Sequence, residues 1–150
     1  MQFLHFTLSG FTRNDQSASR DVEQYAGKKD LVIRDLGYFA LSSLRSLSDK
    51  KAYFLSRLRY GVKIYDEQGN ELPLKKLLRT KGCIDQWVWI GKNKRLKVRL
   101  VMITLPFNQA AERKRKARKD RDRRANHCAL YYQWLNYACF ITNVDEQLWT

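Results

Sequence analysis

The sequence is short of cysteine, of acidic residues and of long apolar runs, and each shortage excludes something. Cys83, Cys128 and Cys139 are odd in number, scattered and without a C-x-x-C pair, so neither a disulfide framework nor a zinc site is indicated. They read as reduced core residues; His127 beside Cys128 would make a metal or nucleophile couple only by adjacency. No stretch approaches the roughly 18 consecutive apolar residues of a spanning helix, so a membrane is not an expected partner. "MQFLHFTLSG" has neither a basic leader nor a small-residue cleavage site, and the expected location is cytoplasmic or nucleoid. Acids number 15 against 29 Lys and Arg, a formal charge of +14 with a pI near 9.9. Such an excess repels itself unless a polyanion is near, and nucleic acid is the first partner to consider.

What is present is globular material. Over 150 residues, 44% are hydrophobic and 13% aromatic, enough for one sizeable core. "FLHFTL" at 3–8 reads as a strand almost at Met1 and "FITNV" at 140–144 as another near the far end. Ends this abrupt give the expectation of a piece of something longer. "SGFTRNDQSASRD" is polar and turn-like, and 21–26 predicts a short helix broken by "GKKD". A buried strand follows at 31–34, driving Leu31, Val32 and Ile33 into a core. Leu41, Leu44 and Leu47 then mark one face of a helix over 40–50, and "AYFLSRL" at 52–58 is a second β run. Strand, helix, strand is a βαβ unit, whose strands run parallel and whose ligands gather at their carboxyl ends. Asp35 sits at such an end.

From Tyr60 to Pro106 the texture is β. A hairpin is signalled around Gln68-Gly69-Asn70. A second follows, from Gln86–Ile90 through "GKNK" to Leu96, Val98, Leu100 and Met102, which alternate with Lys97 and Arg99. Trp87 and Trp89 share a face of their strand, as core or as base contacts. After Pro106, residues 107–137 predict one long helix, with Asn108 as N-cap and Asn126 as the place for a break. Arg113, Lys114, Arg115, Lys116, Arg118, Lys119, Arg121, Arg123 and Arg124 are offset there only by Asp120 and Asp122. Like charges at i, i+4 repel by a few tenths of a kcal/mol per pair. DNA phosphates would relieve that repulsion, positioning the duplex without reading its sequence. A solvated basic arm or a protein-docking surface is the alternative.

"TLSGFTRND", "DLVIRDLGYFAL", "AYFLSRLRYG", the β-rich insertion, the basic helix and "CFITNV" together resemble the DDE-type, RNase H-like transposases of bacterial insertion sequences. The nearest subgroup is the insertion-sequence-four type, with a β insertion before its last catalytic residue. The sharpest match is Asp35-Leu36-Gly37-Tyr38 after an apolar strand. The resemblance implies an α/β chain: a partial RNase H-like core at 1–59, a β insertion at 60–106, and at 107–150 a long basic helix returning to the last core strand. It implies cut-and-paste DNA cleavage and strand transfer by two-metal phosphoryl transfer on double-stranded transposon ends, in a bacterial cytoplasm.

Asp35 would be the second carboxylate of the triad and a ligand to Mg²⁺, residues 113–124 would meet the DNA backbone, and Gly37 would make the tight turn. Hard divalent cations do prefer oxygen ligands. An ordinary turn or cap role for Asp35 stays open. Tyr38 and Phe39 read as packing before contact, Arg57 as DNA-facing or merely solvated, and Arg13, Asn14 and Asp15 as a structural turn. By the same resemblance the first triad Asp belongs before Met1, and the Glu of a Tyr-Arg-Glu-Lys motif beyond Thr150. Asp145 and Glu146 lack that motif's flanking residues. The expectation is a fragment, inactive alone, with full-length transposase as a further partner. A non-enzymatic nucleic-acid-binding protein using its basic helix is the competing class, and an interaction remnant that poisons intact transposase the third.

Overall fold

A computed structural model describes residues 15–79, 83–119 and 128–148; the strand expected at 3–8 lies outside them. The strands are β1 (Leu31–Arg34), β2 (Tyr53–Arg57), β3 (Ile64–Tyr65), β4 (Ile84–Ile90), β5 (Leu96–Thr104) and β6 (Tyr137–Thr142). They form a six-stranded sheet in the order β1-β2-β6-β5-β4-β3. The helices are α1 (Asp15–Ala18), α2 (Leu41–Asp49), α3 (Leu74–Leu77), α4 (Phe107–Arg118) and α5 (Ala129–Trp134). The class is mixed α/β, with mostly antiparallel strands and one parallel pair at the start. Two compact units are separable, Met1–Arg57 with Thr142–Thr150, and Leu58–Ile141.

In the first unit β1 and β2 pair in parallel, from Leu31 opposite Tyr53 to Arg34 opposite Ser56, with α2 as the connection. The leucine spacing does what it predicts: Leu44 and Leu47 are fully buried, with Phe54 of β2. Burial of each such side chain contributes about 1.5–3 kcal/mol. Lys51 ends α2 in the left-handed region, φ 59°. Its N–H reaches the Ser48 carbonyl and the Ala52 N–H that of Leu47, the two bonds of a Schellman stop.

The apolar run of β1 behaves otherwise than expected. Only Val32 is buried; Leu31 is 43% and Ile33 70% exposed. Among the described strands β1 stands at the edge of the sheet; its Val32 face is covered, and side chains two apart share the other face. The polar stretch read as a turn contains α1, and the short helix expected at 21–26 is a 3₁₀ turn, Asp21–Gln24. Ser43 Oγ donates to the Ser19 carbonyl at 2.8 Å, and the Arg34 guanidinium reaches the same oxygen at 3.1 Å.

In the second unit β3, β4 and β5 are antiparallel neighbours. The first hairpin turns on Asp66, whose carboxylate accepts the Asn70 N–H at 2.8 Å, and on Gly69 at φ 87°. Val88, Ile90, Val98, Leu100 and Met102 are essentially inaccessible and form the core. Of the helix expected over 107–137, the described residues form two pieces, and the break expected at Asn126 lies outside them. α4 stops at Arg118, α5 spans six residues, and Tyr137 already belongs to β6. Burial of Cys139 and Ile141 on a strand outweighs the helix-like spacing of the preceding aromatics. The N-cap of α4 is Pro106; the Asn108 carboxamide instead accepts the Gln109 N–H. Of the cysteines only Cys139 is buried, and Cys83 and Cys128 are exposed. Among the described residues no helix is long and apolar enough to cross a membrane.

Candidate functional site

Asp35 follows the last residue of β1 in an extended conformation, φ −87° and ψ 170°, and opens a 3₁₀ turn over Leu36–Tyr38. Its main-chain carbonyl accepts the Tyr38 N–H at 3.0 Å, but its side chain makes no capping bond. The carboxylate is therefore not used as a helix cap. Register explains where it goes: Arg34 pairs with Ser56, so one residue further on Asp35 lies beside Arg57, the last residue of β2. The Arg57 guanidinium donates to Asp35 Oδ1 at 3.3 Å, with side chains 40% and 72% exposed. An ion pair in that much solvent contributes about 0–1 kcal/mol. Asp35 is presented at the tip of the parallel pair, not locked there.

The turn after it is shaped by a second carboxylate. A Cβ on Gly37 would lie 2.7 Å from Asp15 Oδ2 and 3.2 Å from Asp15 Cβ, so any other residue there would have to push the Asp15 side chain of α1 aside. Asp15 is described and exposed; Arg13 and Asn14 lie outside the described residues. Tyr38 is half-buried under the Arg34 guanidinium, 5.0 Å from its ring centre, and Phe39 is buried. Burial lowers the Arg34 pKa from its ordinary value, opposed by Tyr38, Asp21 and Glu23.

Mg²⁺ needs several oxygen ligands in near-octahedral array. Among the described residues no three His, Cys, Asp or Glu come together in a way that could hold a metal. The described donor set around Asp35 does not amount to a metal centre.

α4 carries the described part of the basic run. Ala110 is buried and Arg113, Lys114 and Ala117 are half-buried, a stripe at i, i+3, i+4 and i+7 that faces protein. The Arg113 guanidinium donates to the Tyr137 carbonyl at 3.0 Å. Arg115, Lys116, Arg118 and Lys119 are exposed. Lys116 pairs with Glu112 at 2.9 Å, holding that carboxyl below its ordinary range, and Arg118 lies 5.8 Å from the Tyr132 ring centre. Arg121, Arg123 and Arg124 lie outside the described residues, as does His127.

One residue at the other end of β2 escaped sequence reasoning. Asn143, in the "TN" that ends β6, accepts the Phe54 N–H at 2.9 Å and donates to the Ala52 carbonyl at 2.9 Å and to Ser48 Oγ at 3.3 Å. Thr142 adds a hydroxyl bond to the Phe54 carbonyl at 2.6 Å. These two side chains clip β2. The only signal was a polar pair closing an apolar strand.

Fold and site define an α/β chain that presents a carboxylate at a parallel strand tip and carries an exposed basic helix. Among known proteins, the chain is similar to transposases of insertion sequences. It is 28% identical over 137 residues to the transposase for insertion sequence element IS231E of Bacillus thuringiensis subsp. finitimus, covering 77% of this chain and 28% of that protein. Identity to the IS231B transposase of subsp. berliner is 27% over 135 residues, with the same coverage of both chains. For the IS231F transposase of subsp. israelensis it is 33% over 64 residues, 43% of this chain and 13% of the relative. The chain thus spans 28% of the length of the first two. No protein-family model and no solved structure matches it.

Proposed function

We propose that this chain is the middle part of the catalytic domain of a DDE-type transposase, with Asp35 as one of the carboxylates of the reaction centre. The observation that carries this is the placement of Asp35, exposed at the tip of the parallel pair, held by one 3.3 Å contact to Arg57 and spared from capping. Transposase homologues over 77% of the chain support it. In the longer protein the residues 1–59 belong to an RNase H-like core, 60–106 to a β insertion, and 107–150 to the basic helix and returning strand. The substrate is double-stranded DNA at transposon ends. Mg²⁺ is the cation that a completed set of carboxylates would take, activating a hydroxyl nucleophile and stabilising the leaving oxygen. A single carboxylate does not cage two cations, so the isolated chain cuts no DNA.

Of the basic run, Arg115, Lys116, Arg118 and Lys119, the exposed members on α4, lie along the phosphate backbone, whereas Arg113 and Lys114, half-buried on the face turned to protein, do not. Duplex binding by the purified chain is expected to fall steeply with salt, log K against log salt sloping by about −0.9 per phosphate neutralised. Reversing Arg115, Lys116, Arg118 and Lys119 to glutamate should abolish it, and salt-independent binding would contradict the assignment. Incubation of supercoiled plasmid with the chain and Mg²⁺ should leave it intact; nicking by the chain, lost in Asp35→Asn, would overturn the inactivity.

A further inference from the structure

In the second unit, α3 and α5 enclose a basic concavity separate from the exposed cations of α4. α3 is one turn long, Leu74–Leu77, and is seated by Leu77 and Leu78, which are buried. Helical bonding runs past its end, because the Leu78 N–H reaches the Leu74 carbonyl and the Arg79 N–H that of Lys76. Lys75 and Arg79, four residues apart, therefore stand on one side of the turn, and both are exposed. α5 is seated by Trp134, buried with its ring 6.1 Å from that of Tyr60, and the residue before it, Gln133, is exposed. Lys75, Leu78, Arg79 and Gln133 line a cavity of about 360 Å³. Two cations and a carboxamide thus face one space, and no carboxylate among the described residues pairs with Lys75 or Arg79. The described acids of this unit are engaged elsewhere: Asp66 with Asn70, Glu67 with Lys97, Glu71 with Lys63, Asp85 with Arg99 and Glu112 with Lys116.

Hydrogen bonds tie this cavity to α4. The Tyr137 hydroxyl donates to the Leu78 carbonyl at 2.7 Å, and the Tyr137 carbonyl accepts the Arg113 guanidinium at 3.0 Å. Tyr132, next to Gln133, has its ring centre 5.8 Å from the Arg118 guanidinium. α5 and Tyr137 thus connect two groups of cations. We propose that Lys75, Arg79 and Gln133 hold a phosphate group of the DNA backbone, as a second anchor beside α4. Like charges four apart on a helix repel, and an anion between them turns that repulsion into charge-assisted hydrogen bonds. Three donor side chains with no carboxylate among them suit a phosphate, whose oxygens accept; the arginine fork matches its geometry and the lysine adds a point charge. Such a contact positions the duplex without reading its sequence. The inference rests on the DNA reading above and adds a contact to the same substrate.

The test uses the whole chain and a fluorescent duplex, titrated over a series of salt concentrations. Lys75→Ala with Arg79→Ala should weaken binding about tenfold and lower the slope of log K against log salt by about 0.9, the share of one phosphate. Arg20→Ala with Lys28→Ala removes the same charge from exposed positions of the first unit and should leave the slope unchanged. Equal losses in the two double variants would overturn the site, because net charge alone would then account for both. Gln133→Glu, which puts a carboxylate into the cavity, should weaken binding as much as the Lys75 and Arg79 pair of changes; unchanged affinity would overturn the site too. Exchange of chloride for inorganic phosphate at constant ionic strength separates a free phosphate from a backbone one. A thermal midpoint raised by phosphate in wild type and not in the Lys75 and Arg79 variant, with equal duplex affinity in the two, would overturn the assignment to DNA. Failure of the α4 assignment has a different signature: duplex binding would survive reversal of Arg115, Lys116, Arg118 and Lys119, and the Lys75 and Arg79 changes would still weaken it.

Discussion

The two units each hold an arginine–aspartate pair, and the pairs are built differently. In the second unit Arg99 meets Asp85 through a fork of two bonds, 2.6 and 2.5 Å, with side chains 9% and 39% exposed. In the first unit Arg57 meets Asp35 through one bond of 3.3 Å, with side chains 40% and 72% exposed. The first geometry is structural: a guanidinium largely taken out of water is held in a charge-assisted fork of two hydrogen bonds. The second costs almost nothing to undo, which suits the role proposed for Asp35.

Removing each carboxylate in turn should break that symmetry most visibly. Asp85→Ala is expected to destabilise by about 2 kcal/mol, because it removes both charge-assisted hydrogen bonds of the fork. Asp35→Ala should stay within about 0.5 kcal/mol. Urea unfolding of both variants checks the contrast. Acid sharpens it further. The hydrogen bond from Arg99 holds the Asp85 carboxyl below its ordinary value of 3.8, against the opposing effect of burial. A depressed folded-state pKa means that this stabilisation is present above about pH 3.8 and is lost as pH falls through the lower folded value. Wild type should therefore show an acid loss of stability in that window that Asp85→Ala lacks, measured by urea midpoints between pH 2 and 5.

An effect of similar size is expected from the clip on β2. Asn143→Leu leaves the Phe54 N–H and the Ala52 carbonyl without side-chain partners and should cost about 2 kcal/mol. Asn143→Asp, which can still accept from Phe54, should cost less, by the same unfolding measurement. Smallest is the stop of α2. Lys51 stands at φ 59° where glycine is freer, so Lys51→Gly should stabilise by up to about 1 kcal/mol, read as a rise in the thermal midpoint.

Much of the first unit was legible in the sequence because its signals are local. Leucines three apart, an apolar run with an aspartate behind it and a β-rich stretch after the helix specify strand, helix and strand nearly to the residue. What was not legible depends on neighbours. Whether Leu31 and Ile33 are buried turns on what covers the far face of β1. Arg99 keeps the outward position that alternation predicts, yet it is 7% exposed because Asp85 and Trp87 enclose it from the next strand. Asn143 works through residues some ninety positions away. The basic run looked like one helix because charge and helix propensity continue through it, whereas Tyr137 and its successors go to the sheet. At the site, the sequence pointed to Asp35 and Gly37, but the side chain that crowds the glycine, Asp15, needed coordinates.

The most direct measurement is transposition by the IS231E relative with asparagine placed at the position matching Asp35. The account predicts that transposition falls below detection while the protein still accumulates, folds and binds DNA. Transposition near the unaltered level would contradict it.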